Sequence, residues 1–200
     1  EQEGKRIITC HIGNGGSITA IKDGKSIDTS MGFTPLEGLL MGTRSGNVDP
    51  GALDFLVEKE QLTSVSLSNL LNKKSGVLGV SGVSSDMRDL DAAAKDGNHR
   101  AELALKMYAY RILKYIGAYT AVLGGLDILV FTGGVGENQI EIRAKICSGL
   151  KYLGIEIDDN RNQLRGQDAI ISSDSSRVTV AVIPTDEEFM IAIDTMELVH

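Results

Sequence analysis

The chain has 200 residues, with 20 Lys and Arg against 27 Asp and Glu, for a formal net charge of -7. Hydrophobic residues make up 42% and charged residues 24%. These are ordinary globular values, which exclude a disordered tail and allow roughly 70% of the unfolded surface to be buried. The acidic balance, with no Lys/Arg block, excludes a generic nucleic-acid binder.

The opening, Glu1 to Arg6, carries no apolar stretch of the signal-peptide kind. The first residue is not Met and a strand pattern begins almost at once, so the sequence reads as a piece of a longer chain. Ile7–Ile12 reads as a buried strand, and Ser17–Lys22 alternates as a half-buried one. Asp23-Gly24 is a hairpin turn leading into a third strand, Lys25–Thr29, which completes an antiparallel meander. Asp49-Pro50 starts a helix that runs to about Glu60, with Asp as cap and Pro in the first turn. A shorter helix opens at Ser66 or Ser68 and runs to about Lys74, and a third spans Asp86 to Lys95. From His99 to Leu123 the residues Leu105, Tyr108, Ile112, Ile116, Tyr119 and Leu123 form one apolar stripe. That helix would be roughly 37 Å long. Asp127–Thr132 suits a central parallel strand. A helix over Ile140–Leu153, a strand over Val178–Ile183 and a closing helix from Asp186 to about Val199 follow. The polar stretch Asn160–Ser176 gives no clear pattern. The most apolar stretch, Thr120–Phe131, is short and contains Asp127, so no membrane span is expected. Cys10 and Cys147 lack metal spacing and point to a reducing cytosol over a disulfide scaffold. The element order implies a mixed α/β sheet flanked by helices.

Glycine is enriched, 23 of 200 against the usual ~7%, and it clusters. His11-Ile12-Gly13-Asn14-Gly15-Gly16-Ser17 follows the first strand, where backbone N–H groups can face a phosphate. It lacks the Gly-Lys-Ser/Thr of a P-loop, and a tight β-turn explains it equally well. Met41–Gly46 places Arg44 between flexible glycines, where a guanidinium can steady a transferring phosphoryl group or lie solvated in a loop. Gly79–Arg88 offers Ser84 or Ser85 as a helix cap. Its Asp86 and Arg88 suit a ribose or purine face, or a surface ion pair. Thr132–Asn138 follows the apolar strand and precedes a helix, the place where open α/β sheets bind ligands, but its spacing is not that of a Rossmann site. Pro184–Glu188 puts acidic residues at a helix start, either as dipole-favoured caps or as a carboxylate for Mg²⁺.

In this order, HIGNGGS (His11–Ser17), DTSMGFTPLEGLLMGTRSGNVDP (Asp28–Pro50), GVSGVSSDMRDL (Gly79–Leu90), FTGGVGEN (Phe131–Asn138) and VIPTDEEFMIAIDT (Val182–Thr195) closely resemble the C-terminal half of the acetate kinase (acetokinase) family. The resemblance spans essentially the whole chain. Propionate and butyrate kinases share some of these motifs. The resemblance implies an actin-like ATPase (ribonuclease H-like) fold with a βββαβαβα core and a helical insertion. It implies Mg²⁺-dependent, in-line transfer from ATP to acetate, giving ADP and acetyl phosphate. It places His11, Ile12, Gly13, Asn14 and Gly15 at the nucleotide phosphates and Arg44 on the transferring group. Asp86, Met87 and Arg88 would border the adenosine, and Gly134, Val135, Gly136, Glu137 and Asn138 would run beneath the ribose, base and α-phosphate. Glu187 would hold Mg²⁺, with Glu188 next in line. It also implies a homodimer in the cytoplasm, with neither nucleic acid nor membrane as partner. Mild departures are Gly16 for Ala, Asn47 for Asp, Asp186 for Asn, and Met87 for an aromatic, whose thioether loosens base selectivity. The family's N-terminal half, with its second arginine, catalytic aspartate, phosphoryl-contacting histidine and most of the acetate pocket, has no counterpart here. The isolated chain is therefore expected to bind nucleotide weakly and not to turn over. The alternatives are a propionate or butyrate kinase and a non-catalytic actin-like nucleotide-binding module.

Overall fold

A computed structural model describes residues 4–199. The residues Glu1 to Glu3, part of the opening read above for a signal peptide, lie outside that range. Three antiparallel strands open the fold: β1 (Arg6–Ile12), β2 (Gly16–Lys22) and β3 (Lys25–Thr29). Five helices follow: α1 (Pro50–Lys59), α2 (Ser64–Lys73), α3 (Gly76–Ser81), α4 (Met87–Lys95) and α5 (His99–Leu123). The chain then runs through β4 (Ile128–Thr132), α6 (Gly133–Asn138), α7 (Ile140–Ser148), β5 (Ala169–Ile170), β6 (Thr179–Val182) and α8 (Glu187–Val199). The strands form one sheet in the order β3-β2-β1-β4-β6-β5. β4 lies parallel to both β1 and β6, whereas the meander and β5 are antiparallel.

The central strands are buried as their composition requires. Leu129, Val130 and Phe131 of β4 face both covered sides of the sheet, and Val180 and Val182 continue the layer. The predicted stripe on α5 is buried from Leu105 to Leu123, and α5 packs across β1 and β2 and against α3, α4 and α7. Asn98 caps α5, accepting from the N–H groups of Arg100 and Ala101, and left-handed Gly124 ends it. No helix among the described residues is long and apolar enough to cross a membrane. Cys10 and Cys147 are free thiols in the core, and burial pushes both pKa values up.

Several boundaries differ from the sequence reading. α2 begins before Ser66, because Thr63 caps it from the Ser66 N–H. Gly79–Ser81 belongs to α3, a helix that its glycines conceal in the sequence, and left-handed Gly82 caps its end. Asp86, rather than Ser84 or Ser85, caps α4 through the Arg88 N–H. Ser84 accepts from the Asp86 N–H and donates to Asp89. The helix expected over Ile140–Leu153 stops at Ser148, and Lys151–Leu153 is a separate 3₁₀ turn closed by left-handed Gly154. β5 is too short to leave a periodic signal.

The β1–β4 pairing is fastened at its far end. Asp127, just before β4, accepts from the Arg6 backbone N–H at 2.8 Å and from its guanidinium at 3.0 and 2.7 Å. These bonds hold the Asp127 carboxyl near a pKa of about 2, below the usual 3.8. The folded state thus favours the charged form. Its stabilisation is complete above about pH 4 and fades as pH falls through about 2. Because both side chains remain about one-third exposed, we expect Asp127→Asn to cost about 1 kcal/mol at pH 7. That difference should shrink toward pH 2 in urea titrations across the range.

Candidate nucleotide-phosphate site

The parallel register sets His11 beside Thr132. Beyond these residues both strands leave the sheet in glycine-rich turns, Gly13–Gly15 after β1 and the short helix α6 after β4. The turns touch: a Cβ on Gly13 would lie 3.8 Å from the Gly134 nitrogen. Gly133 sits at φ +75°, where a Cβ would press on the Ile12 carbonyl at 3.0 Å, so only glycine fits this crossing. Between the turns and the start of α4 opens a cleft of about 570 Å³.

Most of the sequence candidates meet here. Gly13, Asn14, Asp86, Met87, Arg88, Gly134, Val135 and Asn138 line the cleft, together with Ser85, read from the sequence only as a helix cap, and Gln139 and Arg165, which the sequence does not single out. Asp86 and Arg88 pair side chain to side chain, and that pairing holds the Asp86 carboxyl down to about 2. Met87 is almost wholly buried in the core. It lines the cleft and is held by the core as well.

Other candidates stand behind the cleft. Ile12 is fully buried beneath Gly136, so its side chain cannot reach a ligand. His11 lies at the end of β1, half-buried. Gly136 is buried, and its carbonyl accepts from Arg143. Glu137 is turned toward the β6–α8 connection, where its carboxylate accepts from the Thr185 N–H at 3.1 Å. Thr132 and Thr185 also share a hydroxyl bond at 2.6 Å, fastening that connection over the end of β4.

Arg44 does not line this cleft. It lines a neighbouring hollow of about 1000 Å³ with Thr43 and the face of α2. Arg44 and the 133–138 bend thus line two separate hollows. Arg44 Nη1 comes within 3.3 Å of where a Cβ on Gly15 would stand. Nor is the loop loose. Gly42 donates to the Asn14 carbonyl at 2.9 Å, while Ser75, Val77 and Leu78 donate to the carbonyls of Thr43, Met41 and Gly42. The guanidinium has no carboxylate at ion-pair distance among the described residues and lies 3.7 Å from the Met41 sulfur.

Glu187 is the exposed first residue of α8, and Asp186 caps that helix through the Phe189 N–H. No group of three or more His, Cys, Asp or Glu residues gathers among the described residues. A lone exposed carboxylate fits Mg²⁺, which commonly uses one or two carboxylates beside substrate phosphates and water.

Sequence reasoning missed Arg143. It lies on α7, fully buried, and donates five hydrogen bonds, all to neutral oxygens: Gly136, Glu137, Leu164 and both oxygens of Asn162. Burial lowers its pKa, yet a guanidinium stays charged at neutral pH. It ties the end of α6 to the 162–164 segment.

The acetokinase family profile matches residues 1–193. The chain belongs to the acetokinase family. It is 67% identical over its whole length to acetate kinase of Phocaeicola vulgatus and covers 50% of that protein. The crystal structure of Porphyromonas gingivalis acetate kinase matches 99% of the chain and 50% of its own length, with TM-score 0.95 and 59% identity. A propionate kinase structure from Francisella tularensis matches 96% of the chain and 49% of its own length, with TM-score 0.89 and 44% identity. The chain thus spans about half the length of the relatives it matches, and the mixed sheet of this acetokinase has the actin-like ATPase fold.

Replacing Arg143 with Met would remove its donors from four backbone carbonyls and the Asn162 amide oxygen, of which the Glu137 carbonyl keeps the Gly166 N–H. We expect Arg143→Met to lose about 3 kcal/mol or more of stability by chemical denaturation.

Proposed function

We propose that this acetokinase chain is the nucleotide-binding half of an acetate kinase, transferring the γ-phosphoryl group of ATP to acetate. A carboxylate oxygen of acetate attacks the γ-phosphorus, the bond to the β-γ bridging oxygen breaks, and ADP leaves. The observation that carries this reading is the cleft where β1 and β4 end, where two glycine turns meet in a kinase-family chain.

In this reading the Gly13–Gly15 turn and Asn14 hold the phosphates, and the Asp86–Arg88 and Gly134–Asn138 segments hold the nucleoside. Arg44, across the turn, faces the terminal phosphoryl group and stabilises charge spread over its equatorial oxygens. Glu187 would hold Mg²⁺, which neutralises phosphate charge when bound. Acetate is the acceptor in this reading because acetate kinases are among the relatives, at 67% and 66% identity. The propionate kinase neighbour keeps a longer acyl group as the second reading.

Transfer of this kind depends on positioning and charge stabilisation from both sides of the phosphoryl group. The chain supplies one side, so it binds nucleotide without turning over. Exposed Leu103, Met107 and Tyr110 on α5 support a homodimer through that helix. The free buried thiols favour a cytoplasmic location.

Trapping acetyl phosphate with hydroxylamine tests the proposal. With Mg·ATP and acetate, the 200-residue chain should give no product, and a protein carrying the preceding half should give it. In the longer protein, Arg44→Ala should lower kcat at least about 100-fold with little change in KM for ATP. Product from the short chain would overturn the half-enzyme reading, and an unchanged kcat would remove Arg44 from the chemistry.

A further inference from the structure

The cleft contains a second exposed cation. Arg165 lines it beside Gln139 and Asn138. Its backbone is fixed on both sides. Leu164 gives its carbonyl to the buried Arg143 at 2.9 Å, and Gly166, at φ +58°, donates to the Glu137 carbonyl at 3.4 Å. The side chain makes no hydrogen bond or ion pair with any described residue. The fold therefore places a guanidinium at the cleft and leaves it unused. Its positive charge also repels that of Arg143.

Position separates the ligands that would use such a group. The Gly13–Gly15 turn meets α6 at its start, whereas the 164–166 segment meets α6 at its end. These contacts, at Gly134 and Glu137, are three residues apart, about 4.5 Å along the helix. A ligand whose phosphates lie against the turn can therefore extend its nucleoside along α6 to Arg165. No aromatic ring lines the cleft. The flat groups available to a purine are the amides of Asn138 and Gln139 and the guanidinium groups of Arg88 and Arg165. Arg88 is already held by Asp86. Arg165 is the uncommitted flat surface, and planar guanidinium groups stack on aromatic faces.

We propose that Arg165 is a nucleotide-binding residue whose guanidinium stacks on the purine face, opposite Arg88. The proposal rests on reading the cleft as a nucleotide site, and it makes Arg143 a positioning residue for that contact.

Calorimetric titration of the 200-residue chain with Mg·ADP and with Mg·tripolyphosphate tests it. Arg165→Ala should raise Kd for ADP about tenfold and leave Kd for tripolyphosphate unchanged. Arg165→Lys, which keeps the charge but loses the flat group, should recover only part of the ADP affinity. Thermal stability should not change, because the side chain has no partner among the described residues. Equal weakening toward both ligands, or full recovery by Lys, would assign Arg165 to phosphate and overturn stacking. Unchanged ADP binding in Arg165→Ala would remove the residue from the site. Failure of the unsubstituted chain to bind ADP would overturn the nucleotide reading together with this inference.

Discussion

The parallel pairing of β1 with β4 is the constraint on which the rest depends. Antiparallel neighbours would send their following turns to opposite ends of the sheet. Parallel neighbours in the register His11 to Thr132 send both the same way. Two backbone turns rich in N–H groups then meet at one edge of the sheet, and the crossing is close enough that Gly133 must lack a side chain. Arg6 and Asp127 fasten the opposite end of the same pair. The cleft is thus a consequence of topology, with α4 and the 162–166 segment added as its further walls.

Arginine serves three different ends around this edge. Arg143 is wholly buried and spends every donor on neutral oxygens, so its charge is turned into scaffolding. Arg88 is half spent, since Asp86 holds one side of its guanidinium. Arg44 and Arg165 have no carboxylate partners among the described residues and line separate hollows. Unpaired guanidinium groups cost little in water but gain strongly from an anion or a π face. Their arrangement suits a long ligand with charge at one end and a flat ring at the other.

Much of this architecture is legible in the residues. The meander follows from alternation and Asp23-Gly24, and the α5 stripe is buried as its spacing requires. The segments that gather at the cleft are those whose glycines and caps stand out. What stays hidden has physical reasons. Arg143 between Ile142 and Ala144 looks like a solvated helix position, and its acceptors lie up to 21 residues away. Arg165 sits in a stretch with no period, given its place by β5 and a 3₁₀ turn too short to read. The separation of Arg44 into a second hollow depends on backbone bonds between its loop and α3, which the glycines of that helix conceal. α8 reads as an ordinary closing helix but buries none of its residues and leaves Phe189, Ile191 and Leu198 exposed.

The most direct measurement is an amide ¹⁵N–¹H NMR titration of the 200-residue chain with Mg·ADP. The account predicts saturable shifts concentrated at Gly13–Gly15, Asp86–Arg88 and Gly134–Asn138, with the distant β2–β3 turn unmoved. Shifts confined to the hollow beside α2, or none at these three segments at saturating nucleotide, would contradict it.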